Sequence, residues 1–408
     1  MLYSAYRARQ IITLTDEGPA MYQYALEASP ACMDDAVLLC AQGKIVAVEP
    51  YSCYRRRGLP EAGLTDLGDV CLAPGLVNAH CHLELSYLGG GQTRSGDGFG
   101  LWMESLVGLL RNSPDEAEVL AAIQGALGAM QREGSAHIAD TGSRWPHLVS
   151  QAARDGGRYG VLHLLELFGF GAPAEAGGTG EALASGGYSP APARFLDSTA
   201  RNHSALSGHA LYSTSPQALQ AAHAWCVANA LPYSMHLAES AEEEQCLIAA
   251  TGLLYELLGE RVLPPGWKAP GVRPVLLADK LGLLTQNTLA VHCVQCDERD
   301  AAILTERGAC VCLCPQSNAY IGVGEAPARL FARKGVLLCL GTDSAASNND
   351  LSMKTEMADA VDRYAFSPAA VLRMATVNGA QALGLHGMGS LAPGRDAVFS
   401  VWDCGYFS

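Results

Sequence analysis

Positive charge is scarce in this chain: 27 Lys and Arg stand against 41 Asp and Glu, for a formal net charge of -14. No basic run interleaved with aromatic residues occurs, so the electrostatic footprint of a nucleic-acid partner is missing. Long apolar runs are missing as well. None approaches the roughly 20 residues of a membrane-spanning helix, which leaves no membrane partner to expect. The opening MLYSAYRARQ lacks a basic segment leading into an apolar stretch and a small-residue cleavage site, and a cytosolic protein is expected. Charged residues make up only 17% and hydrophobic ones 49%, a balance that excludes a disordered or coiled-coil chain. No internal repeat of fixed period is present.

Cysteine, by contrast, is plentiful. The fourteen cysteines are scattered through apolar, strand-like segments such as 309–315 and 336–343, where a free thiol acts as a small core residue. Cys293 and Cys296 form a CxxC and Cys312 and Cys314 a CxC, but no second matching pair completes a structural zinc site. Buried, reduced thiols are the expectation.

The 408 residues fit one large α/β barrel with an appendage. Residues 1–70 carry short apolar runs (11–14, 36–40, 44–49) separated by turn-like segments, and 389–403 has a Pro-Gly turn followed by an alternating strand. The two ends, 1–70 and 385–408, are expected to pair in a small β-sandwich that brackets a central unit, 71–384. Within it, apolar β-rich runs alternate with helical patterns, the signature of parallel βα units. Eight strands are predicted, at 71–80, 135–140, 159–167, 204–212, 232–239, 288–294, 309–314 and 336–343, the number that closes a (β/α)8 TIM barrel. Helices open at Ser113-Pro114-Asp115-Glu116, Ser215-Pro216 and Ser367-Pro368, each with a capping residue and a proline in the first turn. The Gly/Ala/Ser-rich stretch 171–193 has no hydrophobic period and reads as a loop over the barrel mouth.

Histidines gather where these strands end. His80 and His82, one residue apart, project to the same face of the first strand and can chelate one ion. His209, His236 and His292 fall at or near the C-terminal ends of strands four, five and six, and Asp343 ends strand eight. Five of the chain's 11 histidines thus lie at one rim, where barrel active sites are built. Any one of them alone is more often a satisfied core residue; their joint placement predicts a metal site.

Three imidazoles and a carboxylate suit one divalent ion, Zn²⁺ or alternatively Fe²⁺, with room for a water whose pKa falls from 15.7 to about 7. Glu239, three residues after His236, is placed to shuttle protons beside the ion; its bland alternative is a surface residue opening the acidic run 242–244. Asp343 can both ligate and accept a proton, and His292 can relay one or stabilise an oxyanion. His209 is left for substrate contact. The fourth-strand segment SALSGHALYSTS has no lysine to carboxylate as a bridge, which argues for one metal rather than two.

NAHCHLELS, GHALYSTSP, HLAES, CPQSN and GTDSAASNND together resemble the amidohydrolase superfamily, in its branch of chlorohydrolases and aromatic deaminases, over about Leu72 to Trp402. The resemblance implies a (β/α)8 barrel flanked by a β-sandwich from both termini and a single metal held by His80, His82, His236 and Asp343. It further implies that Glu239 and His292 handle protons and that His209 touches a heterocycle. GTDSAASNND is similar to the S-adenosylhomocysteine and methylthioadenosine deaminases, except that Gly is more usual at Ser344; NAHCHLELS also resembles aminodeoxyfutalosine deaminases. Trp102 is a candidate for stacking on a purine, or else a helix-packing residue. Glu166 is a candidate for ribose hydroxyls, or else a loop cap, and Asn318 a rim residue.

The expected activity is hydrolytic deamination of a small amino-substituted heterocycle, a 6-aminopurine nucleoside before others, by a homodimer. The alternatives are loss of chloride or alkylamine from a triazine, action on guanine or cytosine, amide-ring opening, and a catalytically silent barrel.

Overall fold

The computed structural model describes residues 3–15, 32–59, 63–89, 91–112, 114–156, 160–170, 204–259 and 261–407. The predicted loop 171–193 lies outside the described residues.

Two sheets organise the chain. The first strands are β1 (Tyr3–Ile12), β2 (Cys32–Ala41), β3 (Lys44–Pro50), β4 (Leu64–Asp66) and β5 (Val70–Pro74). Together with the C-terminal β14 (Phe399–Asp403) they make one six-stranded mixed sheet in the order β14-β5-β1-β2-β3, with β4 beside β1. Both termini therefore share a small β-domain, as the strand patterns at the two ends predict. Alternation in β2 sends Leu38 and Cys40 to one face, with Ile11, Ile45 and Leu72, and Val37 and Leu39 to the other, with Tyr54 of the helix Tyr51–Arg56.

The second sheet is the barrel: β6 (Leu76–Cys81), β7 (Ser135–Gly142), β8 (Gly160–Leu167), β9 (Ser204–Gly208), β10 (Tyr233–Leu237), β11 (Thr288–His292), β12 (Cys310–Leu313) and β13 (Leu338–Leu340), all paired in parallel in chain order. Every residue of β6, β9, β10, β11, β12 and β13 is buried, as expected of strands covered by helices outside and side chains within. The covering helices start where the caps predict: Ser215 accepts from the amide of Ala218 ahead of Pro216–Ala228, and Ser367 from that of Ala370 ahead of Pro368–Arg373. At 113–116 the cap is Asp115, ahead of Glu116–Arg132, so Pro114 lies before the helix and not in its first turn.

The run predicted as one strand over 71–80 is two. Residues up to Pro74 pair in the terminal sheet and those from Leu76 in the barrel, with Gly75 at the crossing. A Cβ on Gly75 would lie 2.6 Å from the Ala136 Cβ and 2.8 Å from Val398 Cγ1, so only glycine lets the two units meet there. Gly134, just before β7, is pressed in the same way against Ser400. The β-domain thus docks under the N-terminal ends of β6 and β7, leaving the opposite rim free.

The eight strands close on themselves through a seam between first and last. Past the end of β13, Asp343 forms a parallel bridge with Cys81 of β6, its amide donating to the His80 carbonyl (3.1 Å) and its carbonyl accepting from the His82 amide (3.3 Å). Ala238, His292, Cys293 and Asp343, at or just past three strand ends on this rim, have φ of 51°, 72°, 49° and 58°. Left-handed backbone at non-glycine residues costs about 1–3 kcal/mol each and gathers at functional sites.

Candidate active site

Four side chains delivered by β6, β10 and the segment after β13 converge at the rim. One donor atom each from His80, His82, His236 and Asp343 lies within 4.8 Å of all the others. His80 is fully buried in β6, its ring edge-on to that of His82 at a centroid distance of 4.8 Å. His82 lies one residue past the strand end and not within it, held there by its amide bond to Asp343. Its Nε2 stands 3.3 Å from His236 Nε2 and 3.4 Å from Asp343 Oδ1, while His80 Nε2 is 3.6 Å from the same oxygen.

Outer hydrogen bonds fix which atoms face inward. His236 Nδ1 is 2.9 Å from the His209 carbonyl, which can only accept, so Nδ1 carries the proton and Nε2 presents a lone pair. His80 Nδ1 is 3.3 Å from Thr141 Oγ1, and its Nε2, buried, has no hydrogen-bond partner among the described residues. Asp343 Oδ2 accepts from Ser317 Oγ (2.5 Å) and Ser347 Oγ (2.7 Å), leaving Oδ1 to the cluster. An orphaned imidazole nitrogen, a second lone pair turned toward its neighbour and an uncommitted carboxylate oxygen are together costly without a cation. This donor set fits a divalent ion of the zinc type.

Burial pushes the His80 imidazole down to about 4, that of His209 down to about 3, and that of His236 well below the usual range, all toward the neutral, ligating form. At His82 burial acts the same way but is outweighed by the carboxylates of Asp343, Glu166, Glu84 and Asp140, and the net direction is up. Burial would raise Asp343; the His80 imidazole 3.6 Å from its Oδ1 and the other imidazoles around it hold it well below the carboxylate range instead.

Two carboxylates flank the cluster. Glu239, buried two residues past β10, places Oε1 3.6 Å from His292 Nε2, and His292 donates from Nδ1 to Asn318 Oδ1 at 3.0 Å. Burial, with Asp343, Glu243 and Glu242 as like charges, pushes Glu239 well above its ordinary value. On the other side Glu166 Oε1 is 3.7 Å from His236 Nδ1 and has no hydrogen bond among the described residues; burial raises Glu166 to about 7 against the pull of His82. The His209 ring packs 5.0 Å from His236 and 5.1 Å from Phe168, with Nδ1 2.5 Å from Ser213 Oγ. Trp102 is not drawn into the cluster: its indole N–H is bonded to the Ala346 carbonyl (3.0 Å) and its ring packs on Phe99, the geometry of the helix-packing alternative.

Several participants escape a reading of the sequence. Ser317 and Ser347 gave no separate signal. Glu243 did: Ser240 and Glu243 have the Ser-x-x-Glu spacing of a capping box, and the Glu243 carboxylate takes the Glu239 amide at 2.8 Å. Glu84, half-buried beyond His82, accepts the amides of Ser143, Arg144 and Trp145 and ties the end of β7 to the cluster. The CxxC and CxC cysteines are free thiols, and among the described residues no cysteine joins a metal-type cluster.

Fold and cluster together define a class, the (β/α)8-barrel hydrolases that gather histidines and a carboxylate at the C-terminal rim. The sequence pattern of the amidohydrolase family matches residues 71–407, and the chain belongs to that family. A 5-methylthioadenosine/S-adenosylhomocysteine deaminase of Nitratidesulfovibrio vulgaris is 31% identical over 401 residues, 92% of this chain and 81% of the relative. One from Syntrophobacter fumaroxidans is 31% identical over 391 residues, 91% and 80% of the two chains. Among solved structures, the Helicobacter pylori aminofutalosine deaminase bound to methylthio-coformycin superimposes with a TM-score of 0.78 at 19% identity, covering 98% of this chain and 91% of that one. A zinc-bound adenosine deaminase of Xanthomonas campestris gives 0.74 at 23% identity, covering 98% and 84%. At these identities the two structures speak for the fold.

Proposed function

We propose that the protein hydrolytically deaminates a 6-aminopurine nucleoside, with His80, His82, His236 and Asp343 holding one Zn²⁺. The observation that carries the reading is the buried three-imidazole, one-carboxylate cluster with Glu239 and His292 paired beside it. The names of the relatives support the substrate class. Fourteen unpaired thiols support a reducing, cytosolic setting.

When bound, the ion supplies Lewis acidity and lowers the pKa of water to about 7. In the reaction water adds its oxygen to the amino-bearing ring carbon, the C–N bond breaks, ammonia leaves and the carbon becomes a carbonyl. Glu239 takes a proton from the water and delivers it to the adjacent ring nitrogen; its burial keeps the carboxyl basic enough to receive it. Asp343 takes the second proton and returns it to the departing amine. His292, its Nδ1–H held by Asn318, presents Nε2 to a proton shared with Glu239 and in that protonated form faces the oxygen that gains charge. Glu166, with an oxygen that no donor among the described residues satisfies, accepts hydrogen bonds from the nucleoside, and His209 with Phe168 borders the ring.

The test is ammonia release by zinc-replete protein from adenosine derivatives differing at the 5′ position, with guanine, cytosine and a chlorotriazine alongside. Ammonia is expected from the nucleosides, with His236→Ala inactive and Glu239→Gln slowed about 10²–10⁴-fold while retaining zinc. Release from none of the nucleosides overturns the reading.

A further inference from the structure

Behind the cluster lies a carboxylate with no place in the mechanism above. Glu356, on the helix Met353–Tyr364, is fully buried. Its Oε2 accepts the Gln316 amide (3.2 Å), and its Oε1 accepts the Asn348 side-chain amide (2.7 Å) and, at 3.4 Å, that of Gln316. The same Asn348 nitrogen donates to the Thr342 carbonyl at 2.8 Å. Thr342 is gripped from the opposite side by Asn78 of β6, which accepts its amide (3.1 Å) and donates to its hydroxyl (2.7 Å).

These contacts end on the two short segments that set the site. Thr342 immediately precedes Asp343, whose left-handed backbone has to be held against its own preference. Gln316 immediately precedes Ser317, which donates to Asp343 Oδ2, and stands two residues before Asn318, which accepts from His292. One side chain thus spans both the loop that aims Asp343 and the helix start that aims its hydroxyl donor and the partner of His292.

We propose that Glu356 is a positioning residue for the metal centre, locking the 342–348 and 314–318 segments in the register that aims Asp343 Oδ1 at the imidazoles and His292 at Glu239. Both of its oxygens meet N–H donors, so an amide in its place turns one N–H against another at whichever end it sits. The proposal rests on the reading of the four residues as a metal centre.

A built-in control grips the same helix from outside it, at the end of Glu116–Arg132. Glu133 accepts the Met353 amide (3.0 Å) and the Ser352 hydroxyl, anchoring the helix N-terminus without touching either site segment. Zinc affinity, measured by competition with a chromophoric chelator, and the thermal midpoint of the metal-free protein separate the two roles. Glu356→Gln is expected to weaken zinc binding about 10–100-fold, as lost outer-shell partners do, and to lower kcat. Glu133→Gln is expected to lower the midpoint with zinc affinity unchanged. Wild-type protein that takes up no zinc overturns both the metal reading and this one. Zinc-binding wild type with a Glu356→Gln variant of equal affinity overturns this one alone. Should Glu356→Gln fail to fold, Asn348→Ser, which cuts the link from Glu356 to Thr342 together with the bond from the Asp350 amide, is read by the same measure: weaker zinc holding supports the proposal, and unchanged holding overturns it.

Discussion

Glu243 allows the electrostatics of the rim to be tested without any substrate. Its carboxyl is fully buried, with Oε2 on the Glu239 amide and Oε1 without a partner among the described residues, and burial raises it from the ordinary 4.5 to about 7. Between those two values the unfolded chain is ionised while the folded protein keeps its proton. The contribution to stability is therefore complete below pH 4.5 and is lost as pH rises through 7. The interval from 4.5 to about 7, at 1.36 kcal/mol per pH unit, amounts to about 3 kcal/mol. Glu243→Gln retains an acceptor for the Glu239 amide and cannot ionise. In chelator-treated protein, urea unfolding followed by tryptophan fluorescence should find variant and wild type nearly equal at pH 5. At pH 8.5 the variant should be the more stable by about 3 kcal/mol. If both lose stability in parallel over that range, the desolvated carboxyl is not where this reasoning puts it.

The barrel seam gives a steric prediction. A Cβ on Gly341 would lie 2.7 Å from the His80 carbonyl, 2.8 Å from its Cβ and 2.9 Å from Cys312 Sγ, so Gly341→Ala should cost about 1–3 kcal/mol and displace His80. Calorimetry and chelator competition should show a lower midpoint together with weaker zinc binding, and no change in either would refute the close approach. Of the fourteen thiols ten are buried, Cys53, Cys296 and Cys404 are half-buried and Cys32 is exposed. A chromogenic aromatic disulfide should therefore react quickly with at most four in native protein and with all fourteen in denaturant; a larger fast count contradicts the packing.

The barrel was legible because parallel strands are hydrophobic on both faces and reach the rim with their chemistry in place. His236 and His292 each sit in the last two residues of a strand, where side-chain alternation and position agree. His82 was found by the same rule although it lies just past β6, because a tertiary hydrogen bond to Asp343 continues the strand direction for one more residue. The strands end sooner than predicted at His209 and Asp343, where the chain leaves the sheet before the candidate residue. The break at Gly75 was hidden because both halves of 71–80 are apolar, and a change of sheet leaves no mark in hydrophobicity. Trp102 could be read two ways, since a helix stripe and a stacking surface use the same residue. The outer partners stayed invisible for a simpler reason: Glu356 and Glu84 meet their targets through contacts far apart in sequence, and an acidic residue ordinarily faces water.

The seam where β6 meets the segment after β13 has a consequence for how the molecule is made. Asn78 and Thr342, neighbours across it, are 264 positions apart along the chain, and the donors on either side come from the first and last staves of the barrel. An ion gripped by His80 and Asp343 is therefore a removable cross-link that ties off nearly the whole central domain as one loop. During synthesis no truncated product ending before Asp343 can own the complete site, so the capacity to hold the ion reports that the last stave has arrived.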